Sequence, residues 1–333
     1  MKPLVSILVP AYNAEKWIAE TIESALAQTW GNKEIIVVND GSRDNTLAVV
    51  KKYESKFVKV IDQENKGHCV AKNRAFNASQ GELIKFLDAD DLINKENVEL
   101  QVERLNGDFD SIASCEWGRF YGPDPQKAVF EPEKVWTDLK PVDWLVEALW
   151  EKAESMMQCG IFLIPRRILL NSGLWDERLS LIDDYEFFTR VLLKSNGIKF
   201  TPGAKLFYRS GINTSISNIK SRKGIESAFL SISLACGHLL KAEHSDRTKF
   251  VCANVWQHFI YDNYPNHKDL LVQAEEKIKE LGGATLKPIG GPLFKYLSFL
   301  VGWKMAKRVQ NSIYQIGYKK LASVWSRKKI ECA

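Results

Sequence analysis

Three aspartates, Asp88, Asp90 and Asp91, fall within four residues, directly after the apolar run Leu83-Ile84-Lys85-Phe86-Leu87. Clustered carboxylates repel one another, and a divalent cation removes the cost of keeping them ionised. Mg²⁺ or Mn²⁺ takes one or two carboxylates and completes its shell with water and phosphate oxygens. An ion held this way bridges a diphosphate and neutralises it as a leaving group. The same spacing also fits exposed loop aspartates, with Asp91 capping the next turn. A fourth acid, Asp40, ends the run Glu34-Ile35-Ile36-Val37-Val38. Its carboxylate can accept a hydrogen bond from a base N–H, such as N3 of uracil or thymine, or it can serve a plain Asp-Gly turn with Gly41. Asp183-Asp184 precede Tyr185-Glu186-Phe187-Phe188 at a helix start. They read either as capping acids favoured by the helix dipole or as a general base for an acceptor hydroxyl.

Alternating strand and helix signals must position these acids. Leu4 to Val9 is a short apolar run. Asn13 is placed to cap a helix whose face is Trp17, Ile18, Thr21, Ile22, Ala25 and Leu26. Strands follow at 34–38, 58–61 and 83–87, with helices reaching about Tyr53 and spanning Cys69 to Ala78. This βαβαβαβ pattern predicts an α/β fold, a mainly parallel sheet with helices on both faces. Such sheets bind ligands at the carboxyl ends of their strands. Here those ends are Pro10-Ala11-Tyr12-Asn13, Asn39-Asp40-Gly41-Ser42 and Asp88-Ala89-Asp90-Asp91. Further on, strands are expected at 111–116, 161–164 and 206–208, and helices at 142–150 and 184–193. Beyond about Ser221 only helical stretches remain, at 224–242, 248–262 and 268–281. The chain is therefore divided into a catalytic domain at 1–220 and a helical C-terminal region at 221–333.

Composition narrows the class. The chain is 45% hydrophobic and 26% charged, ordinary for a soluble globular protein. Its opening apolar run is too short for a signal peptide, and no stretch reaches the roughly 18–20 apolar residues of a spanning helix. The six cysteines show no C-x-x-C pair and read as buried thiols in a reducing compartment. A cytoplasmic location is expected. The net charge of +5 is uneven: from Lys287 onward ten Lys/Arg face one Glu, so that segment carries +9 and the rest −4. In that tail Trp303, Ala306, Val309, Ile313 and Ile316 recur at helical spacing from Phe299, with Lys304, Lys307, Arg308 and Lys319 opposite. An apolar stripe opposite a basic one predicts either an interfacial helix on the inner face of an anionic membrane or a helix packed on the protein. Gly302 and Gly317 weaken the helix.

The blocks together resemble glycosyltransferase family 2, inverting enzymes with the GT-A fold. Val5-Ser6-Ile7-Leu8-Val9-Pro10-Ala11-Tyr12-Asn13 is similar to the family's opening strand. Glu34 to Asp44 is similar to its base-binding block, and Asn65-Lys66-Gly67, Ala71-Lys72-Asn73 and Gly81 to Asp91 to the stretch entering its D-x-D motif. Leu174-Trp175-Asp176-Glu177 to Asp183-Asp184-Tyr185-Glu186-Phe187 resembles the block holding its base. The resemblance covers about residues 3–215. It implies a nucleotide-diphosphate sugar donor, a UDP-sugar by the argument at Asp40, bound by Pro10, Tyr12, Asn13, Asp40, Lys72, Asp88 and Ala89. It further implies a Mn²⁺ or Mg²⁺ ion at Asp88 and Asp90, and Asp184 as catalytic base. The implied acceptor is a glycan or lipid-linked saccharide in polysaccharide or glycoconjugate synthesis; nucleic acid is not an expected partner.

The chain departs from the family at several points. Lys72 stands where an Arg is common, Asn39 precedes Asp40, and Asp183-Asp184 replaces a Glu-Asp pair. No His follows the late strand, so Arg209 in Tyr208-Arg209-Ser210-Gly211 is assigned a phosphate contact. A nucleotidyltransferase would open with a Gly-rich, Arg-containing loop, and a dinucleotide dehydrogenase with G-x-G-x-x-G, and neither is present. A non-catalytic nucleotide-sugar or glycan-binding protein needs no metal cluster and base together.

Overall fold

Val5–Ala11 forms β1 with all seven residues buried, as a continuous apolar run does when helices cover both faces of a sheet. The computed structural model describes residues 2–150, 157–212, 221–288 and 290–315. β1 is followed by α1 (Ile18–Leu26), β2 (Lys33–Asp40), α2 (Thr46–Lys51), β3 (Val58–Gln63), α3 (His68–Ala78) and β4 (Leu83–Phe86). β1 pairs in parallel with β2 and β4, and β2 with β3. The order β3-β2-β1-β4 brings the carboxyl ends of β1, β2 and β4 side by side, and this is where the predicted acids lie. The fold is thus the expected α/β one.

The middle of the chain departs more from the sequence reading. β5 (Leu92–Ile93) and α4 (Asn97–Leu105) precede β6 (Ser111–Tyr121) and α5 (Pro141–Trp150). The strand expected at 161–164 shrinks to β7 (Ile164–Pro165), which pairs antiparallel with β4 at the sheet edge. Pro165 is its last residue and caps α6; an edge strand tolerates a residue with no N–H to donate. α6 (Arg166–Ser172) and α7 (Asp183–Leu192) lead to β8 (Gly197–Ser210), fourteen residues long against the three expected. β8 pairs with β5 and β6 in a second, three-stranded sheet. One end of β8 therefore stands beside the loop after β4.

α8 (Arg222–Ala242), α9 (Asp246–Asn263), α10 (Lys268–Glu280), α11 (Pro292–Val301) and α12 (Trp303–Gln315) follow among the described residues. Two compact units divide at Val251/Cys252. The boundary proposed at residue 220 falls next to 213–220, outside the described residues. α8 is bonded to the loop before α7: Ser227 and Ser231 hydrogen-bond to the backbone of residues 180–182. Within the second unit, Gly302 at φ 75° breaks the tail into α11 and α12. Ala306 is fully buried, and Trp303 meets Tyr261 and Tyr264 at ring distances of 4.7 and 5.2 Å. The stripe through Trp303 and Ala306 is thus a packing face. Ile316, Gly317 and Lys319 lie outside the described residues. No helix among the described residues is long and apolar enough to cross a membrane.

Candidate active site

The end of β2 is tied to the loop entering α3. Asp40 accepts from Gln63 Nε2 at 2.8 Å and the Lys66 amide at 2.9 Å through Oδ1, and from the Gly67 amide at 2.9 Å through Oδ2. Gly41 allows this turn for two reasons: its φ is +64°, and a Cβ there would lie 2.5 Å from the Asn65 amide nitrogen. Asp40 is buried, and Oδ2, with a single amide donor, keeps one lone-pair direction. Asn13 does not cap α1. It adopts a left-handed φ of 50°, accepts from the Arg43 amide and donates its own N–H to Ser42 Oγ. Its short polar side chain tolerates that backbone and laces the β1 end to the β2 turn. Tyr12 beside it is exposed, while Pro10 is buried.

At the end of β4 the three aspartates separate in role. Asp91 is buried; its Oδ1 accepts from the Arg209 amide at 3.0 Å, and its backbone carbonyl accepts from Thr21 Oγ1. Asp91 Oδ2 is a buried acceptor with no hydrogen-bond partner among the described residues. Asp88, Ala89 and Asp90 are partly open. Burial and then the charge of Asp88 push Asp90 up to about 7, against the pull of Arg209. Burial, Asp90 and Asp88 likewise hold Asp91 well above the usual carboxylate range. A group of acids that resists full ionisation, with an orphaned oxygen among them, is the donor set a hard divalent cation satisfies. Asp88 and Asp90, the two partly open acids of the three, are the residues that would hold such an ion.

Arg209 does not stand ready for a phosphate. Its side chain is almost wholly buried between Trp17 and Phe120, at 4.4 and 4.6 Å from their ring centres. Its donors are committed to the Asp90 carbonyl, the Gly122 carbonyl and Glu20 Oε2. It fixes the loop that carries Asp90 instead. Lys72 is also redirected. It is buried on α3, with Nζ 3.3 Å from Asp183 Oδ2, 3.4 Å from Asp184 Oδ1 and 3.7 Å from the centre of the Trp175 ring. Burial would lower the Lys72 ammonium, but Asp183 and Asp184 outweigh it and hold the group charged.

Asp183 and Asp184 differ sharply. Asp183 is buried and accepts from His68 Nε2 at 2.9 Å, Lys72 at 3.3 Å and the Cys69 thiol at 3.5 Å. Burial would raise its carboxyl, yet Lys72 and His68 hold it well below the usual range. Asp184 touches only Lys72 among these, and 35% of its side chain is exposed. Burial, with Asp183 and Asp88 as like charges, pushes it up to about 7 despite Lys72 and His68. Asp183 is the anchor; Asp184 is the open acid with a proton affinity suited to a base at neutral pH. His68, Cys69 and Asp183 bring ligand atoms within 4.8 Å of one another. They already bond to one another beside a buried ammonium, which argues against a cation there. Sequence reasoning passed over His68 because nothing local marks it: its partner is 115 residues away, and only the Gly67 turn aims it.

The backbone before the acid pair is strained. Ile182, β-branched and exposed, sits at φ 58°, a conformation that such residues rarely adopt. α8 holds it there. Ser231 Oγ donates to the Ile182 carbonyl at 2.6 Å, and Ser227 Oγ accepts from the Ser180 and Leu181 amides at 2.7 and 3.1 Å. Asn73 pins the other side of the same loop, bonding both the N–H and C=O of Trp175.

The family model described as Glycosyl transferase family 2 matches residues 6–167. A glycosyltransferase of Rickettsia prowazekii, itself uncharacterised, is 30% identical over 234 residues, covering 68% of this chain and 72% of that protein. An uncharacterised glycosyltransferase of Rickettsia typhi is 33% identical over 196 residues, covering 58% of this chain and 60% of that one. The crystal structure of S. aureus TarS residues 1–349 in complex with UDP-GlcNAc superposes with a TM-score of 0.67 at 19% identity, covering 95% of this chain and 92% of that one. At that identity the likeness establishes the GT-A fold.

Proposed function

The chain belongs to glycosyltransferase family 2, and from that premise we propose that it moves a sugar from a UDP-sugar donor to a saccharide hydroxyl with inversion. The observation that carries the reading is Asp184. It is the one member of its acid pair left open, its pKa lies near 7, and it is close enough to Asp88 to feel that charge. A base at Asp184 and a diphosphate-binding ion at Asp88 and Asp90 would then share one site.

In this reading the donor lies across the carboxyl ends of β1, β2 and β4. The base rests beside Tyr12 and Pro10 and gives its N3–H to the remaining lone pair of Asp40 Oδ2, while Asn13 holds the turn beneath it. Asp88 and Asp90 would hold Mg²⁺ or Mn²⁺ at the diphosphate, where a bound ion supplies charge neutralisation for the leaving group. The acceptor oxygen attacks the anomeric carbon as the bond from that carbon to the phosphate oxygen breaks. Its proton passes to Asp184 in the same displacement. Asp184 Oδ1 faces Lys72, so Oδ2 is the oxygen that receives the proton. Lys72 orients the carboxylate and balances the charge of the pair.

Calorimetry with UDP, dTDP and GDP in the presence of Mn²⁺ tests the donor side. Tightest binding is expected for UDP; tightest binding of GDP would end the pyrimidine reading. Slow metal-dependent release of UDP from one UDP-sugar in a panel would then name the sugar. A protein that binds nucleotide sugars without ever releasing UDP would be a binding module.

A further inference from the structure

The tail exposes an apolar face on α11 that the sequence stripe touched only at Phe299. On α11, Leu293, Tyr296 and Leu300 recur at i, i+3 and i+7, the spacing of one helix face. They are 65%, 63% and 56% exposed, and Phe299 at the edge of that face is 87% exposed. Phe294, on the opposite side, is buried. α11 is thus seated by Phe294 and turns its larger apolar side to solvent. Past Gly302, Met305 and Val309 on α12 are exposed as well. Isolated exposed apolar residues are ordinary on a protein surface, but a contiguous cluster of this kind marks an interaction site.

Charge identifies the occupant. From Lys287 to Gln315 the chain carries five Lys/Arg and no acid. Lys304 is paired with Glu275. Lys295, Lys307 and Arg308 form no ion pair among the described residues, and Lys295 lies next to Phe299 around the helix. A second copy of the chain would place this cationic face against itself, whereas an anionic bilayer complements it. α11 has ten residues, about 15 Å of helix against roughly 30 Å of hydrocarbon, so it can lie in the interface but not span it.

We propose that α11 is a membrane-docking helix, lying in the plane of an anionic bilayer with Leu293, Tyr296, Phe299 and Leu300 inserted and Lys295, Lys307 and Arg308 at the headgroups. Aromatic and leucine side chains on one face with flanking cations are what such binding uses, and each cation strengthens it on an anionic leaflet. The proposal is independent of the transfer chemistry, and its test involves no turnover.

Flotation of the full chain with phosphatidylglycerol vesicles should carry most of the protein upward. Phosphatidylcholine vesicles and about 0.5 M salt should each weaken binding severalfold. The pair Phe299→Asp and Leu300→Asp lies in solvent, so melting temperature should be unchanged while vesicle affinity falls by about tenfold or more. Lys295→Glu with Lys307→Glu should weaken binding to phosphatidylglycerol alone. Undiminished flotation of the Phe299→Asp/Leu300→Asp protein would overturn the assignment. So would failure of the wild-type chain to bind, whether it stays monomeric or forms a dimer that the same pair abolishes; the dimer would make the face a contact between copies.

Discussion

The loop that presents Asp184 is held in a conformation it does not prefer, and Ser227 is the residue whose removal should show it. Ser227→Ala leaves the Ser180 and Leu181 amides without their acceptor. Each orphaned donor costs about 1–3 kcal/mol when buried. Both residues are half-buried, so water recovers part of this and about 2 kcal/mol in total is the reasonable figure. Ile182 adds about 1–2 kcal/mol of left-handed strain that favours relaxation once the clamp is gone. The two effects act in one direction, toward an Ile182 backbone at negative φ with the start of α7 shifted. The predicted result is a kcat reduced by tenfold or more, since about 1.4 kcal/mol is a factor of ten, with donor affinity within about twofold. Glycine holds the left-handed region without strain, so Ile182→Gly added to Ser227→Ala should recover much of the lost kcat. Transfer kinetics and donor calorimetry on the single and double variants, alongside urea unfolding, make the test. If Ser227→Ala unfolds more easily but keeps wild-type kcat, the clamp is structural only and the reasoning fails.

Other consequences concern metal, protons and the core. Asp90→Asn should cut turnover by orders of magnitude with the melting temperature preserved, and excess EDTA should abolish turnover in the wild type; full activity in EDTA would remove the ion from the account. Asp184 must be ionised to accept a proton, and its pKa is raised to about 7, so kcat should rise with pH along an acid limb. The charge of Asp88 is among the causes that raise that pKa, so an ion that neutralises Asp88 should move the midpoint down, and the absence of any acid limb down to pH 4 contradicts the assignment. Lys85 is fully buried on β4 with Gln101 Oε1 at 2.8 Å, and burial lowers it from 10.5 to about 8. The unfolded chain therefore binds this proton more tightly, and its contribution to stability rises with pH between about 8 and 10.5, by about 3 kcal/mol in all. Lys85→Met should remove that rise relative to wild type in urea unfolding at pH 7.5 and 10; an identical pH difference in the two proteins would show that Lys85 is not the source.

Local patterns foretold the first half of the fold because β1, β2 and β4 are buried along most of their length and read as largely apolar runs, while β3, more open at the sheet edge, still shows Val58, Val60 and Ile61. The strand-end rule then placed Asp40, Asp88 and Asp90 at neighbouring strand ends, and the parallel order of β1, β2 and β4 brings them side by side. What failed depended on partners distant in sequence. Arg209 resembles a phosphate ligand until Glu20, Gly122 and the Asp90 carbonyl are seen around it. Lys72 and His68 acquire their roles only when α7 is folded against α3. β8 was underestimated because its mixed residues, such as Lys199, Pro202 and Lys205, lack the alternation of a half-buried strand. In the tail stripe Trp303 packs against Tyr261 and Tyr264 and Ala306 is buried, whereas Phe299 and Val309 stay exposed. Periodicity identifies an apolar face but not what covers it.

The assignment of Asp184 as base is tested most directly by Asp184→Asn beside Asp183→Asn. The amide keeps the shape of the side chain near Lys72 but cannot take up a proton. The measurement is transfer rate together with calorimetric donor affinity on the same preparations. Asp184→Asn should bind the donor nearly as wild type and lose transfer by several orders of magnitude, whereas Asp183→Asn should lose thermal stability as well, because His68 and Lys72 lose their anchor. Transfer at wild-type rate by Asp184→Asn, or loss of donor binding in step with activity, would contradict the account.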